Sequence, residues 1–202
     1  MNTCFYEDKY LKVVLKNIGD DSENMGGKPC GRLDKPVGGL MLLAKDGKIQ
    51  EKASSSLSKT YYAVVAGIIE EKEGTLEDYL LHDKRKNKVF PVKSLRKGVK
   101  EAKLYYEVIG EDLKENISLV RVNLDTGRTH QIRVQFASRK HPLAGDGKYG
   151  SRIKCNIGLF AGKIKFAHPV TGEQMEFKVC PEMAEPWSYF EEILKQDLSQ
   201  QQ

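Results

Sequence analysis

Apolar and β-branched residues recur along the chain in short blocks separated by turn signals, a pattern that favours a sheet over long amphipathic helices. Strands are predicted over 10–16 (YLKVVLK), 40–45 (LMLLAK), 60–69 (TYYAVVAGII), 102–110 (AKLYYEVIG), 117–124 (ISLVRVNL), 160–167 (FAGKIKFA) and 173–179 (EQMEFKV). Helical spacing is confined to three places. These are 48–57; 129–139 (THQIRVQFASR), where Ile132 and Phe136 stand four apart on one face; and 185–198, which has a proline near its start. Strands that do not alternate regularly with helices point to an α+β fold. Two loops stand out: 17–31, polar and glycine-rich, and 140–152, where Gly145, Gly147 and Gly150 imply a tightly folded backbone. The closing QDLSQQQ is expected to fray.

Length and composition narrow this picture. At 202 residues the chain suits a single substantial domain spanning 1–202. It has no apolar run near the ~18 residues that cross a bilayer and no basic-then-apolar start, so a soluble, cytoplasmic protein is expected. Cys4, Cys30, Cys155 and Cys180 are scattered, with no histidine at zinc-ligand spacing, and His82, His130, His141 and His168 are equally dispersed. Neither a metal site nor a disulfide framework is expected. The formal net charge is +5, yet the interval 82–103 alone holds nine Lys/Arg against two Asp/Glu. Such concentration suits a polyanion, because neutralising phosphates releases counterions, although a solvated face is the plainer alternative.

Three segments are more particular than composition requires: GRLDKPVGG (31–39), SKTYYAVVAG (58–67) and DTGRTHQIRVQFASRKHPLAGDGKYG (125–150). The first sets the Asp34 carboxylate beside Arg32; taken alone, Asp34 before Lys-Pro reads as turn chemistry. The second puts Tyr61 and Tyr62 at the start of a strand, pointing to opposite faces, and either could be an ordinary strand aromatic. The third places Arg128 in a turn and Arg133 on a helix among apolar neighbours. A buried guanidinium there needs a carboxylate partner.

Together these segments resemble the RluA-type pseudouridine synthases. That family's His-Arg-Leu-Asp motif, which leads into an apolar strand, is matched by Gly31-Arg32-Leu33-Asp34 and KPVGGLMLLAKD. Its Lys-x-Tyr-x-Ala segment is matched at Lys59–Ala63, which selects Tyr61 over Tyr62. GRTHQIRV (127–134), GDGKYG (145–150), His168-Pro169 and Pro186-Trp187 follow in family order. The resemblance implies a mixed, largely antiparallel sheet with flanking helices and an RNA-binding cleft. It also implies an enzyme that detaches uracil from its ribose in RNA, turns it and reattaches it through C5. Asp34 would be the catalytic aspartate, acting as a nucleophile or by accepting a sugar proton, with Arg133 paired to it. Tyr61 would stack on the target base, and Arg32 would fill the place that the flipped base leaves. Lys84, Arg85, Lys86 and Lys88 would contact the RNA backbone, positioning it rather than specifying sequence. An isomerisation of this kind calls for no redox carrier, nucleotide or metal cofactor. The implied partner is ribosomal or transfer RNA, bound by a monomer.

The chain also departs from the family pattern. Gly31 stands where many relatives have histidine, Val37-Gly38-Gly39 replaces Thr-Ser-Gly, and Lys16-Asn17 replaces Lys-Pro ahead of an acidic GDDSE loop. The small RNA-binding domain that many relatives carry ahead of the catalytic one is not expected here. A rival reading is a non-catalytic RNA-binding or RNA-chaperone protein on the same fold, but pure binding has no need of the Asp34 carboxylate. A binder of phosphorylated small molecules would need a phosphate cradle, and no such motif is found.

Overall fold

The computed structural model describes residues 2–199. In chain order the first strands are β1 (Cys4–Glu7), β2 (Leu11–Lys16), β3 (Lys28–Pro29) and β4 (Gly38–Ala44), followed by helix α1 (Gly47–Ser56) and β5 (Ser58–Ala66). Then come β6 (Glu73–Asp83), β7 (Lys88–Val92), β8 (Val99–Asp112), β9 (Ile117–Leu124) and helix α2 (Gln131–Ser138). The chain closes with β10 (Leu159–Ala167), β11 (Gln174–Lys178) and helix α3 (Glu191–Ser199). Short 3-10 turns cover Ser22–Asn24, Gly147–Tyr149 and Trp187–Phe190. Most strand pairs are antiparallel, and three helices flank the strands, the α+β class that the hydrophobic pattern predicts. Among the described residues, the chain forms two compact units, one drawn from 2–61, 160–182 and 194–199, the other from 62–159 and 183–193.

In the first unit, β4 is the central strand. It pairs antiparallel with β2 over Gly39–Ala44 and with β3 at Leu43 and Ala44, and parallel with β10 at Gly38 and Gly39. Its sequence, GGLMLLA, is buried at every position, so it carries apolar residues on both faces and shows no alternation. On one face Leu40, Leu42 and Ala44 pack with Leu11, Val13, Ile164 and Phe166 beneath Ile49 and Ala53 of α1. Asp46 starts α1 by accepting the Ile49 amide at 2.9 Å.

The parallel step onto β10 brings backbone against backbone. Gly39 has φ +133°, and a β-carbon there would lie 2.5 Å from the Ala161 nitrogen and 2.6 Å from its carbonyl oxygen. Only glycine satisfies both conditions. The unit's far end is tied by His168, whose Nδ1 accepts the Val170 and Thr171 amides, so its Nε2 donates to Asp8 Oδ2 at 2.9 Å. Asp8 also accepts the Tyr10 and Leu11 amides and the Tyr6 hydroxyl. Burial pushes the Asp8 carboxyl up, but those amides together with His168 and Tyr6 outweigh it and hold the group below its ordinary range. The late His-Pro is therefore a structural knot between the β1–β2 and β10–β11 turns.

In the second unit the strand order is β5-β9-β8-β6-β7. The β6–β7, β6–β8 and β8–β9 pairs are antiparallel, with a bulge in β8 between Val108 and Gly110. Helix α2 is buried from Gln131 to Phe136, and Phe136 meets Tyr106 edge-on at 5.5 Å. Ile132 and Phe136 are core contacts, as their spacing predicts. The 185–198 segment resolves into the 3-10 turn at Trp187–Phe190 and then α3. The helix runs through Ser199, so the QDLS of the closing segment is helical, and 200–202 lie outside the described residues.

Gly39→Ala is expected to destabilise the fold by more than ~2 kcal/mol, because neither the backbone of β10 nor φ can accommodate the methyl group. Gly38→Ala, whose β-carbon would sit 3.4 Å from its neighbours, should cost clearly less. Urea denaturation of the two variants checks the ranking.

Candidate active site

The first unit places Asp34 by anchoring the backbone on both sides of it. Lys16, at the end of β2, is fully buried, and its Nζ donates to the carbonyls of Asn17, Lys35 and Val37 at 3.1, 3.1 and 2.8 Å. An ammonium has three N–H donors, and here all three meet backbone oxygen. Burial lowers the Lys16 pKa, while the charges of Asp20, Asp34 and Asp21 oppose that shift. On the other side, the buried Ser22 hydroxyl donates to the Leu33 carbonyl at 2.8 Å and accepts the Leu33 amide at 3.1 Å. The Gly19 amide donates to the Lys35 carbonyl, and the Asp34 carbonyl closes a four-residue turn by accepting the Val37 amide at 2.9 Å. The turn reading of Asp34 thus holds for its backbone. Its carboxylate sits half-buried at the mouth of β4.

Tyr61 lies in the same unit and is 7% exposed. Burial raises the pKa of its phenol, and the negative charge of Asp34 raises it further, which locates the ring in the carboxylate's electrostatic reach. Tyr62 is also buried, so both faces of β5 are covered there. Arg32 is exposed, 3.6 Å from Glu23. Lys59 is half-buried and donates from Nζ to the Gly31 carbonyl at 3.4 Å. Burial pushes its pKa down to about 8, with the nearby Cys30 opposing. A β-carbon on Gly31 would meet Lys59 Cε at 3.4 Å and Leu57 Cδ2 at 3.6 Å, ordinary contact distances. Packing therefore does not demand glycine at this departure from the family motif.

In the second unit Arg133 is the charged centre. Its Nε and Nη2 grip Asp146 Oδ2 and Oδ1 at 2.7 and 2.9 Å, with both side chains sealed from solvent. Asp146 comes from GDGKYG, which the backbone ties to β5: the Ala66 amide donates to the Pro142 carbonyl and the Ala144 amide to the Val64 carbonyl. Gly145 has φ +72°, and a β-carbon there would come within 2.5 Å of the Cys155 carbonyl oxygen. That close approach accounts for the glycine next to the aspartate. Gln131 orders the turn before α2, its Oε1 accepting from Thr126 Oγ1 and the Arg128 amide, and its Nε2 donating to the Lys103 carbonyl.

Lys84, Arg85 and Lys86 are exposed in the β6–β7 turn, where Asp83 Oδ1 accepts the Arg85 and Lys86 amides. Lys88 is half-buried, its Nζ 5.7 Å from the Phe90 ring centre and 5.5 Å from that of Tyr149.

Asp34, Tyr61 and Arg32 thus belong to one unit, and Arg133 with the basic hairpin to the other. The sequence reading assigned no role to Lys16, Ser22, Asp146 or Tyr149. Asp146 and Tyr149 were visible inside GDGKYG, but the carboxylate that the resemblance gave to Arg133 was that of Asp34. Lys16 and Ser22 gave no signal, since a lysine ending a strand and a serine in a polar loop look solvated.

The family described as RNA pseudouridylate synthase matches residues 5–138. Among curated relatives, a Bacillus subtilis protein named uncharacterized RNA pseudouridine synthase YhcT is 35% identical over 155 residues, covering 70% of this chain and 48% of its own length. An Aquifex aeolicus uncharacterized RNA pseudouridine synthase is 34% identical over 189 residues, covering 84% of this chain and 58% of its own. The ribosomal large subunit pseudouridine synthase D of Vibrio cholerae is 35% identical over 167 residues, with coverages of 72% and 50%. The chain spans about half the length of these relatives. Two solved structures share its fold. Human RNA pseudouridylate synthase domain containing 1 aligns with a TM-score of 0.77 at 21% identity, over 93% of this chain and 86% of that one. Human RNA pseudouridylate synthase domain containing 4 aligns with a TM-score of 0.72 at 19% identity, over 95% and 92%.

Two outcomes follow from the site's electrostatics. Asp146→Ala leaves a guanidinium sealed without that carboxylate and should cost ~3–5 kcal/mol in chemical denaturation. Lys59 releases its proton near pH 8 when folded but near its ordinary 10.5 when unfolded, so its contribution to stability rises with pH across that window. Denaturation midpoints at pH 7.5, 8.5 and 9.5 should therefore favour the wild type increasingly over Lys59→Met.

Proposed function

Because the chain belongs to the RNA pseudouridylate synthase family, we propose that it isomerises uridine in RNA to pseudouridine, with Asp34 as the catalytic carboxylate. The observation that carries this reading is the clamp of Lys16 and Ser22 on the backbone around Asp34, together with Tyr61 inside the carboxylate's field. A carboxylate that only ended a turn would need no such fixing, whereas one that must meet a sugar carbon or accept a sugar proton does.

In the reaction the C1′–N1 bond breaks, a C1′–C5 bond forms, C5 gives up its proton and N1 gains one. Nothing else enters or leaves. A uridine inside a helix hides its glycosidic bond, so it is flipped out at a cost of a few kcal/mol. Stacking on Tyr61 returns ~1–3 kcal/mol, and Arg32, exposed and only loosely held by Glu23, fills the vacated place. Arg133, its guanidinium fixed by the fork on Asp146, is assigned as a substrate-binding cation. Lys84, Arg85, Lys86 and Lys88 take the backbone phosphates. Ribosomal RNA is the substrate class favoured by the name of the Vibrio cholerae relative, with transfer RNA as the alternative. One copy of the chain suffices, since every assigned residue lies within it.

Asp34→Asn should lower pseudouridine formation on the order of a thousandfold or more while RNA still binds, read by nucleoside chromatography and filter binding. An active Asp34→Asn variant contradicts the assignment. A wild-type chain that binds RNA yet forms no pseudouridine supports the non-catalytic rival instead.

A further inference from the structure

Tyr149 touches more of the second unit's machinery than a packing residue needs to. Its hydroxyl accepts the Val89 amide at 2.9 Å and lies 2.9 Å from His130 Nδ1. Val89 sits on β7, the last strand in its sheet order, so an amide pointing outward from β7 meets no further strand. The same ring lies 5.2 Å from the Arg133 guanidinium carbon and 5.5 Å from Lys88 Nζ. It also meets the His130 ring edge-on at 5.7 Å.

The histidine is itself under constraint. His130 adopts φ +52° immediately before α2, a left-handed conformation that a residue with a β-carbon holds only when its surroundings impose it. Its carbonyl accepts the Val134 amide at 3.0 Å, so the first turn of α2, which carries Arg133, is built on that conformation. A second tie runs beside the first: Lys148 Nζ donates to the Asn87 carbonyl in the hairpin turn at 2.9 Å.

One side chain therefore joins the basic β6–β7 hairpin to the helix end that presents Arg133. We propose that Tyr149 is a positioning residue which couples the seating of that hairpin on RNA phosphates to the orientation of the Arg133 guanidinium. The inference rests on the functional reading above. It divides the residue's work in two: the hydroxyl fixes the hairpin and His130, and the ring supports Arg133.

Tyr149→Phe and Tyr149→Leu separate the two parts. Tyr149→Phe keeps the ring and loses the hydroxyl ties, so KM for RNA should rise about fivefold with kcat held within about twofold. Amide exchange should quicken in both 84–92 and 129–139. Tyr149→Leu also loses the ring, and kcat should fall at least about tenfold below that of Tyr149→Phe. Tyr149→Phe with wild-type KM and wild-type exchange in both segments overturns the coupling. Equal kcat in the two variants overturns the ring's part. If the wild-type chain forms no pseudouridine, the functional reading fails, but exchange in the two segments and the RNA dissociation constant still decide whether Tyr149 links them.

Discussion

A lysine ammonium cut off from water must find an acceptor for each of its N–H groups, or the fold carries an uncompensated buried charge. Lys16 meets that demand with backbone alone, through the carbonyls of residues 17, 35 and 37. This constraint links the end of β2 to the turn that begins at Asp34, and the turn feeds directly into β4, the central strand of the first unit. Backbone carbonyls do not swing as side chains do, so the ammonium holds the turn in one shape. Ser22 completes the arrangement on the Arg32 side by holding both polar groups of Leu33.

The second unit solves its problem by a different route. Its buried cation, Arg133, takes a bidentate carboxylate, and the Asp146 that supplies it rides on a loop pinned to β5. A guanidinium is planar, and two parallel hydrogen bonds fix its plane as well as its position. Tyr149, three residues beyond Asp146, then bridges to the hairpin that carries the exposed Lys84, Arg85 and Lys86. Charge is thus sorted by depth: a buried fork that fixes direction and a cluster left in solvent.

Much of this was legible in the sequence, and the misses share physical causes. β2, β5, β8, β9, β10 and β11 announce themselves through β-branched and aromatic residues, and β4 through an unbroken apolar run. β6 was hidden because EGTLEDYLLHD is rich in acidic residues, which strands disfavour; only Leu76 and Leu80 mark its buried side. β7 was hidden by Lys88 and Pro91, residues that suit the edge strand it turns out to be. Asp34, Tyr61 and Arg133 could be named because their motifs are distinctive. The residues that hold them could not, because a buried lysine bonded to carbonyls and a serine clasping one peptide unit depend on chain folding that no local pattern records.

If uracil is rejoined to ribose through C5, the C5 hydrogen must leave. Ribosomal RNA transcribed with uridine tritiated at C5 and incubated with the purified chain measures this directly. Tritium should appear in solvent in step with pseudouridine, with the RNA strand left intact. Retention of all tritium on RNA that the chain demonstrably binds overturns rejoining through C5.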